Sequence, residues 1–271
     1  MLNVISEKNI YKKIQNLRSL TSFDLKKTDN FTLRNNDLGR DVEVLPVRQH
    51  PLKKGLSFVE GQARLLHDLA SIELQAMELG VRTLIEFNFE LSERESFKNQ
   101  LIDVVLSEAD HLELCLNQIH DLGFKWGDWP VHTALWDATH SEDSLIDRIL
   151  IVHRYLEGSG LDAGDTLLNR LKQVAVSKGI IESVKKINHD EVLHVLFGSN
   201  WFKYECQKLK LDSDNEFESR MNRLKWIVPK RMEPIQTDIR LKAGFSHFEI
   251  SYLKNLRSEV LERHTNANKT K

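Results

Sequence analysis

The sequence has 271 residues, of which 41% are hydrophobic and 29% charged, with 12 glycines and five prolines. This composition favours a helix-rich globular protein with a sizeable core over a β-sandwich. The 38 lysines and arginines nearly balance the 40 aspartates and glutamates, which excludes a strong overall charge that would attract nucleic acid or a membrane.

The cysteines and the N-terminus indicate the compartment. Cys115 and Cys206 are the only cysteines, and they lie in helical patterns rather than in a Cys-x-x-Cys motif, so no disulfide framework is indicated. Glu7 and Lys8 interrupt the first residues, which lack the apolar run of a signal peptide. No stretch approaches the roughly 18 apolar residues of a membrane span. We therefore expect a cytoplasmic protein with no membrane partner.

Residues 1–56 are weakly periodic and predict an N-terminal arm packed on the rest of the chain. The capping box Ser57-Phe-Val-Glu60 then predicts a first long helix that begins near residue 58. Its inward face is predicted from an apolar stripe with a spacing of three to four residues, into which one acid is set. The stripe consists of Leu66, Leu69, Ile72, Glu73, Ala76 and Gly80.

A second capping box, Ser92-Glu-Arg-Glu95, predicts the start of the second helix. Only a few residues, Asn88 to Leu91, separate the two helices, so they are expected to form an antiparallel hairpin. Glu108 and His111 replace apolar residues on the inward face of the second helix. Because they are three residues apart, both side chains project from one side of the helix.

Between Leu122 and Asp143 the helical pattern stops, and three tryptophans appear: Trp126, Trp129 and Trp136. A stretch of this length without a helix normally argues against a compact domain. A bundle whose second and third helices run parallel, however, needs one such crossover. The tryptophans are expected either to cover one end of the bundle or to close over the site.

The third helix is predicted from Ser144 to Val176, with Glu157 on its inward face. Gly158 and Gly160 are unfavourable inside a helix, so a π-type bulge or a close backbone approach is expected there. His153 lies one turn before Glu157 and is either a metal ligand or proton relay, or a hydrogen-bonded core histidine.

The fourth helix is predicted from Ile180 to Lys210, with Glu191 and His194 on its inward stripe. Asp190 precedes Glu191 and is placed to accept the second ring N–H of a ligand histidine. His67, six residues before Glu73, lies off the direct line of that glutamate and is expected either beside the ligands or at the surface.

Beyond the fourth helix, a short helix is predicted over 216–226, and the capping box Ser246-His-Phe-Glu249 starts a last one. The predicted organisation has three parts: an arm over 1–56, a four-helix bundle over 57–211 and a helical appendix over 212–271.

The order Glu, then Glu-x-x-His, occurs twice at nearly the same spacing. A single Glu-x-x-His is expected by chance in a chain of this length, but the repeated arrangement is the layout of a two-metal carboxylate site in a four-helix bundle. Four buried acids also need a counter-charge, which two divalent cations supply. The predicted metal ligands are Glu73, Glu108, His111, Glu157, Glu191 and His194.

The predicted ligands divide by role. Glu73 and Glu157 are expected as terminal ligands, while Glu108 and Glu191 bridge the two metals and each histidine binds one of them. A set of carboxylates and imidazoles without a thiolate favours iron or manganese over structural zinc.

The ligand pattern and the crossover resemble the ferritin-like di-iron carboxylate superfamily, in particular its rubrerythrin-like members. The segments HDLASIELQAMEL, LEGSGLDAG and NHDEVLHVLFG further resemble a bacterial ferritin-like branch of unassigned function, and the similarity covers roughly residues 40–250. The resemblance implies an all-α fold: a ferritin-like four-helix bundle with a long crossover between helices 2 and 3, an N-terminal arm and C-terminal helices. It also implies two bound iron ions, with manganese as the alternative.

The function implied by this resemblance is that of a non-haem di-iron oxidoreductase that activates O₂ or peroxide, of the hydroxylase or peroxidase type. It needs a small-molecule or peroxide substrate and an electron donor, neither of which the sequence identifies, and no catalytic residue is assigned beyond the ligands. A distant similarity to tRNA-modifying di-iron hydroxylases raises a nucleic-acid substrate, which the charge balance does not support.

The alternative is a ferroxidase or iron-binding protein without an organic substrate. Storage of iron requires a shell of many subunits, which the arm and the C-terminal helices would obstruct. A homodimer is compatible with the oxidoreductase.

Overall fold

The structure, a computed structural model, describes residues 1–20, 33–34, 37–87, 92–224, 227–228 and 232–269. These residues are mainly helical and form no β-strand. One isolated parallel bridge joins Val44 and Val131. The predicted all-α class is therefore confirmed.

The described part of the chain contains ten α-helices and one π-helical segment. The helices are α1 (Leu2–Ser6), α2 (Ile10–Arg18), α3 (Val59–Glu86), α4 (Ser92–Asp121), α5 (Leu145–Ile149), α6 (Glu157–Leu171), α7 (Lys178–Lys208), α8 (Ser213–Arg223), α9 (Thr237–Lys242) and α10 (His247–Lys269). The π-helical segment, Leu150–Leu156, joins α5 to α6. Two short 3-10 turns occupy Val47–Gln49 and Trp136–Ala138.

The chain forms two compact units. Unit 1 comprises residues 1–142 and 171–183, and unit 2 comprises 143–170 and 184–271. The division into an arm, a bundle and an appendix stays a prediction.

The core of unit 1 is the hairpin of α3 and α4. Gly80 of α3 lies so close to Val105 of α4 that an added Cβ would overlap the valine side chain, and it would lie 3.7 Å from Leu101 Cδ1. Glycine is therefore required at this crossing. The connection at 88–91 and the side chain of Ser92, and with it the second capping box, lie outside the described residues.

Helix α3 begins where predicted but not through the predicted capping box. Its N-cap residue is Phe58, which provides no side-chain cap, and Glu60 forms an ion pair with Lys54 instead. The Ser57–Glu60 pattern therefore predicted the start of the helix correctly but the capping hydrogen bonds wrongly, because Lys54 pairs with the glutamate.

One predicted inward position of α3 is wrong. Ile72 is 39% exposed, whereas Leu66, Ala70, Leu74 and Met77 are buried. Adjacent residues of an α-helix are about 100° apart around its axis, so Ile72 lies outside the buried face on which Glu73 lies.

The N-terminal region of unit 1 is partly helical and is anchored by a buried ion-pair cluster. Lys13 of α2 donates from Nζ to the carbonyl oxygens of Val4 and Ile5 at 3.0 and 2.6 Å, which satisfies the C-terminal end of α1. Its Nζ also lies 2.8 Å from Glu78 Oε1 of α3, and Arg40 donates to the same carboxylate at 2.6 Å. Lys13 and Arg40 are thus both bound to α3 through one shared acid, Glu78.

The tryptophans of the connection between α4 and α5 pack against α3 on both sides of Glu73 along the helix. Trp126 stacks on His67 with ring centroids 4.7 Å apart, and Trp129 meets the same imidazole edge-on at 5.5 Å. Trp136 is buried under the guanidinium of Arg82, 4.7 Å from its ring. The tryptophans therefore cover the flank of α3.

His67 is buried in the tryptophan cluster. Its Nε2 accepts a hydrogen bond from the backbone N–H of Gly127 at 3.1 Å. Burial lowers the pKa of His67 to about 4, so the ring is neutral at pH 7 and carries its proton on Nδ1. The expected position at the surface is therefore wrong.

Near the start of unit 2, Ser144 caps α5: its Oγ accepts a hydrogen bond from Asp147 N at 3.2 Å. The predicted third helix, Ser144 to Val176, is divided: the π-helical segment interrupts it, and α6 ends at Leu171. The fourth helix, α7, runs two residues ahead of its predicted limits at both ends.

The C-terminal helices of unit 2 are attached through a fully buried ion pair. Arg154 donates from both terminal nitrogens to the carboxylate of Glu249 at 2.7 Å. Three phenylalanine rings surround the guanidinium at 4.5–5.1 Å. Glu249 also accepts from Ser246 N at 2.8 Å, while its own N–H donates to Ser246 Oγ at 3.0 Å. The predicted third capping box is therefore confirmed.

Candidate metal centre

Three predicted ligands of unit 1 meet across the α3–α4 hairpin, and we call them the first triad: Glu73, Glu108 and His111. His111 Nδ1 lies 3.5 Å from Glu73 Oε2 and 3.5 Å from Glu108 Oε2. All three side chains are buried, with at most 5% of any one exposed. Two carboxylates and one imidazole thus converge from two helices.

The helical period explains why the second helix directs these groups inward. Glu108 and His111 are three residues apart and share a face of α4. Asp110, between them, lies on the opposite face, where it pairs with Arg18 of α2 at 2.7 Å. The acid beside the triad is therefore engaged at the surface.

Cys115 lies one turn after His111 and is fully buried. Burial, and secondly the charge of Glu73, raise the pKa of Cys115 well above its ordinary value. At neutral pH this residue is a protonated thiol beside the oxygen and nitrogen donors.

The equivalent residues of unit 2 form the second triad: Glu157, Glu191 and His194. His194 Nδ1 lies 3.4 Å from Glu191 Oε1, which repeats the spacing between His111 and Glu108 in the first triad. Glu157 instead has Oε1 at 2.8 Å from Nδ1 of His153. The three triad residues are all at least nine-tenths buried.

Two close approaches fix the register of α6 and its π-helical extension against α7. A Cβ added at Gly198 would lie 2.5 Å from His153 Cβ and 3.0 Å from its backbone, and a Cβ added at Gly164 would overlap Asn188. The two elements therefore run antiparallel. Because Glu157 is four residues after His153 and His194 is four residues before Gly198, Glu157 and His194 lie at the same level, as Glu73 and His111 do in unit 1.

Glu108, His111, Glu191 and His194 are all buried, and each offers one ligand atom with which it could hold a metal ion. The donor set consists of carboxylate oxygens and imidazole nitrogens, which suits iron, manganese or zinc and does not by itself select one of them. The residues present therefore fit a divalent cation.

Buried cations are present in both units, and other acids pair with them. In unit 1, Lys13 and Arg40 share Glu78, Arg64 pairs with Asp68, and Arg82 pairs with Glu86. In unit 2, Arg148 pairs with Asp143, Arg154 with Glu249 and Arg240 with Asp162. These ion pairs involve acids outside the triads, so the buried arginines are paired with carboxylates other than the predicted ligands.

Asp190 forms an ion pair with Lys186 of the preceding turn, with Nζ 2.5 Å from Oδ2. Its predicted hydrogen bond to a ligand histidine stays a prediction.

The sequence matches a family described as "Protein of unknown function (DUF455)" over residues 6–251. The chain belongs to the DUF455 family. A relative from Haemophilus influenzae, titled "Uncharacterized protein", is 29% identical over 206 residues, which cover 74% of this chain and 70% of the relative. No solved structure matches the chain.

The DUF455 match includes both triads, from Glu73 to His194, and the connection between α4 and α5. The family description assigns no metal and no reaction.

The sequence patterns only partly anticipated the surroundings of Glu157. A bulge was expected at Gly158 and Gly160, but the π-helical segment lies just before Glu157, and α6 is regular from there on. Gly158 does mark a close approach, to the guanidinium of Arg240, whereas a Cβ at Gly160 would meet no described atom within 4 Å. A π-turn has no strong composition signal, so its position could not be read from the sequence.

No described helix of this DUF455 protein is both long enough and apolar enough to cross a bilayer.

Proposed function

We propose that this protein is a cytoplasmic non-haem di-iron oxidoreductase that activates O₂ or hydrogen peroxide. The observation that carries the proposal is the duplication of one buried carboxylate–imidazole arrangement. In each triad a Glu-x-x-His pair holds its imidazole Nδ1 within 3.5 Å of a glutamate oxygen. Packing alone can account for a single buried Glu-x-x-His pair. Two such pairs in one chain, at matching sequence spacing, favour a metal-binding site.

The proposed architecture is a ferritin-like four-helix bundle of α3, α4, α6 and α7 in which the triads serve a dinuclear centre. Three observations support it: the helices of each unit pair antiparallel, His111 and His194 lie at the same level as Glu73 and Glu157 respectively, and the ligands recur in the sequence in the same order. In this architecture Glu108 and Glu191 bridge the ions, and Glu73 and Glu157 are terminal ligands.

Two ferrous ions, when bound, supply two electrons, which are the number required to reduce peroxide to water or O₂ to peroxide. The glutamates bind and orient the ions, and the histidines add neutral donors that leave the charge balanced. Burial of the triads excludes bulk water from the site. Turnover then requires an organic substrate or an external electron donor to return the two electrons.

A second candidate is ferroxidase or iron-binding activity without an organic substrate. The same triads serve either function, since both require ferrous iron in a carboxylate site. The two candidates differ after the iron has been oxidised: an oxidoreductase is reduced again and turns over, whereas a ferroxidase releases ferric iron to a mineral or a partner.

The test is anaerobic loading with Fe(II), rapid mixing with O₂ or hydrogen peroxide, and measurement of Fe(II) remaining and oxidant consumed. We expect fast oxidation of about two iron ions per chain and further oxidant consumption when a chemical reductant is added. Glu108→Ala should abolish fast oxidation. Asp110→Ala, which removes the neighbouring surface carboxylate, is the matched control and should retain it.

Oxidation at the rate of free iron in buffer, or equal rates in the two variants, would contradict the proposal. Fast oxidation that ends after one turnover despite the reductant, together with a large multisubunit particle in size-exclusion chromatography, would favour the ferroxidase.

A further inference from the structure

The two triads differ in one side chain that lies beside the terminal glutamate. His153 is 1% exposed and lies one turn before Glu157, with Nδ1 2.8 Å from Glu157 Oε1. Because an ionised carboxylate only accepts, the imidazole is the donor of this hydrogen bond. His153 Nε2 is then the unprotonated nitrogen, and it has no hydrogen-bond partner among the described residues.

The first triad provides an internal comparison. The residue four positions before Glu73 is Leu69, whose side chain can neither donate nor accept a hydrogen bond. The helix around Leu69 is regular, since α3 is α-helical from Val59 to Glu86, whereas His153 lies in the π-helical segment. The duplicated site is therefore not symmetric at this position.

The surrounding packing fixes the His153 ring. Gly198 of α7 has no room for a side chain because the backbone and Cβ of His153 occupy that space. The ring of Phe197 meets the imidazole edge-on with centroids 5.1 Å apart. A ring held from two sides gives a directed hydrogen bond to Glu157.

We propose that His153 is a positioning residue that makes the two metal positions unequal. It holds Oε1 of Glu157 and thereby assigns Oε2 to the cation, so that Glu157 binds through one oxygen. Leu69 imposes no such restriction on Glu73. This inference rests on the proposed dinuclear site and adds that the cation at Glu157 depends on a histidine outside the ligand set.

Direct ligation by His153 is disfavoured by the geometry of its ring. The two ring nitrogens point away from each other, so Glu157 at Nδ1 and a metal at Nε2 would lie on different sides of the imidazole. One cation cannot be bound by His153 Nε2 and by the glutamate that Nδ1 holds. The hydrogen bond therefore makes His153 a partner of the ligand.

The test is anaerobic titration of the metal-free full-length protein with Co(II), followed by calorimetry and by the visible absorption of bound cobalt. The wild-type protein should bind two equivalents. His153→Leu, which copies the first triad, should weaken one equivalent by about 10- to 100-fold and leave the other unchanged, as is usual when a partner of a metal ligand is removed. His153→Asn places an amide N–H near the position of Nδ1 and should recover most of the lost affinity.

Tyr155→Phe is the matched control. Tyr155 lies in the same π-helical segment, is 2% exposed, and its hydroxyl has no hydrogen-bond partner in the described part of the chain. Its removal should leave both equivalents unchanged.

The outcomes separate the two proposals. If the wild-type protein binds no cobalt, the dinuclear site itself is wrong. If the wild-type protein binds two equivalents and His153→Leu binds both with unchanged affinity, or loses both equally, the site survives and the positioning role is overturned. Failure of His153→Asn to improve on His153→Leu would also overturn it, because the hydrogen bond would then not be the cause.

Discussion

Protonation of His67 should destabilise the protein in mildly acidic solution. The ring is fully buried, stacks on Trp126 and accepts a hydrogen bond from Gly127 N through Nε2. A proton on Nε2 would replace that acceptor with a donor and place a charge in an apolar pocket. The neighbouring charges oppose each other, since Asp68 and Asp128 favour the charged ring while Arg64 and His50 disfavour it.

The size of the effect follows from the pKa of His67, which burial lowers from 6.5 to about 4. The unfolded chain takes up the proton first as pH falls, so the contribution is fully present above pH 6.5 and is lost as pH falls toward 4. At pH 5 the wild-type protein should have lost about 2 kcal/mol of unfolding free energy through this residue, with a ceiling of about 3 kcal/mol below the folded pKa.

The assay is urea unfolding of the wild-type protein and His67→Gln at pH 7.5 and pH 5. Glutamine keeps an acceptor for Gly127 N but does not titrate. The free energy of unfolding of the wild-type protein should fall by about 2 kcal/mol more than that of the variant between the two pH values. Equal losses in the two proteins would show that groups other than His67 cause the loss.

Three further substitutions test the packing of unit 2. Glu249→Ala leaves the buried Arg154 guanidinium without its carboxylate and should lower the unfolding free energy by about 3–5 kcal/mol, measured by urea unfolding; a loss below about 1 kcal/mol would contradict a dry ion pair. Gly198→Ala would place a methyl group 2.5 Å from His153 Cβ and should cost about 1–3 kcal/mol in the same assay. Gly160→Ala meets open space and should instead gain up to about 1 kcal/mol from helix propensity; equal effects of the two alanines would contradict the register of α6 and α7.

Apolar periodicity predicted much of the helical architecture because it reports which face of a helix is buried. The capping boxes and the apolar pattern together located the starts of α3, α4 and α7 to within two residues, and the acids set into the pattern are buried in the structure. The capping box at Ser246 was predicted correctly because both of its hydrogen bonds are local.

Interactions that depend on distant residues could not be predicted in this way. The Ser57–Glu60 motif has the same sequence form as the box at Ser246, but Lys54 takes its glutamate. The ion pair of Arg154 with Glu249 joins residues 95 positions apart. The hydrogen bond between His153 and Glu157 is local, yet whether a histidine at this spacing binds a metal, a carboxylate or only packs depends on the π-turn that orients it.

Metal binding by the two triads is tested most directly by the metal content of the purified full-length protein after anaerobic loading with Fe(II) and removal of unbound metal. Elemental analysis should find two iron ions per chain in the wild-type protein. Substitution of Glu73, Glu108 or His194 by alanine should lower the number of bound iron ions, whereas Asp110→Ala should leave it at two. A wild-type protein that retains no iron, or iron that all of these variants retain alike, would show that the two triads are not the metal site.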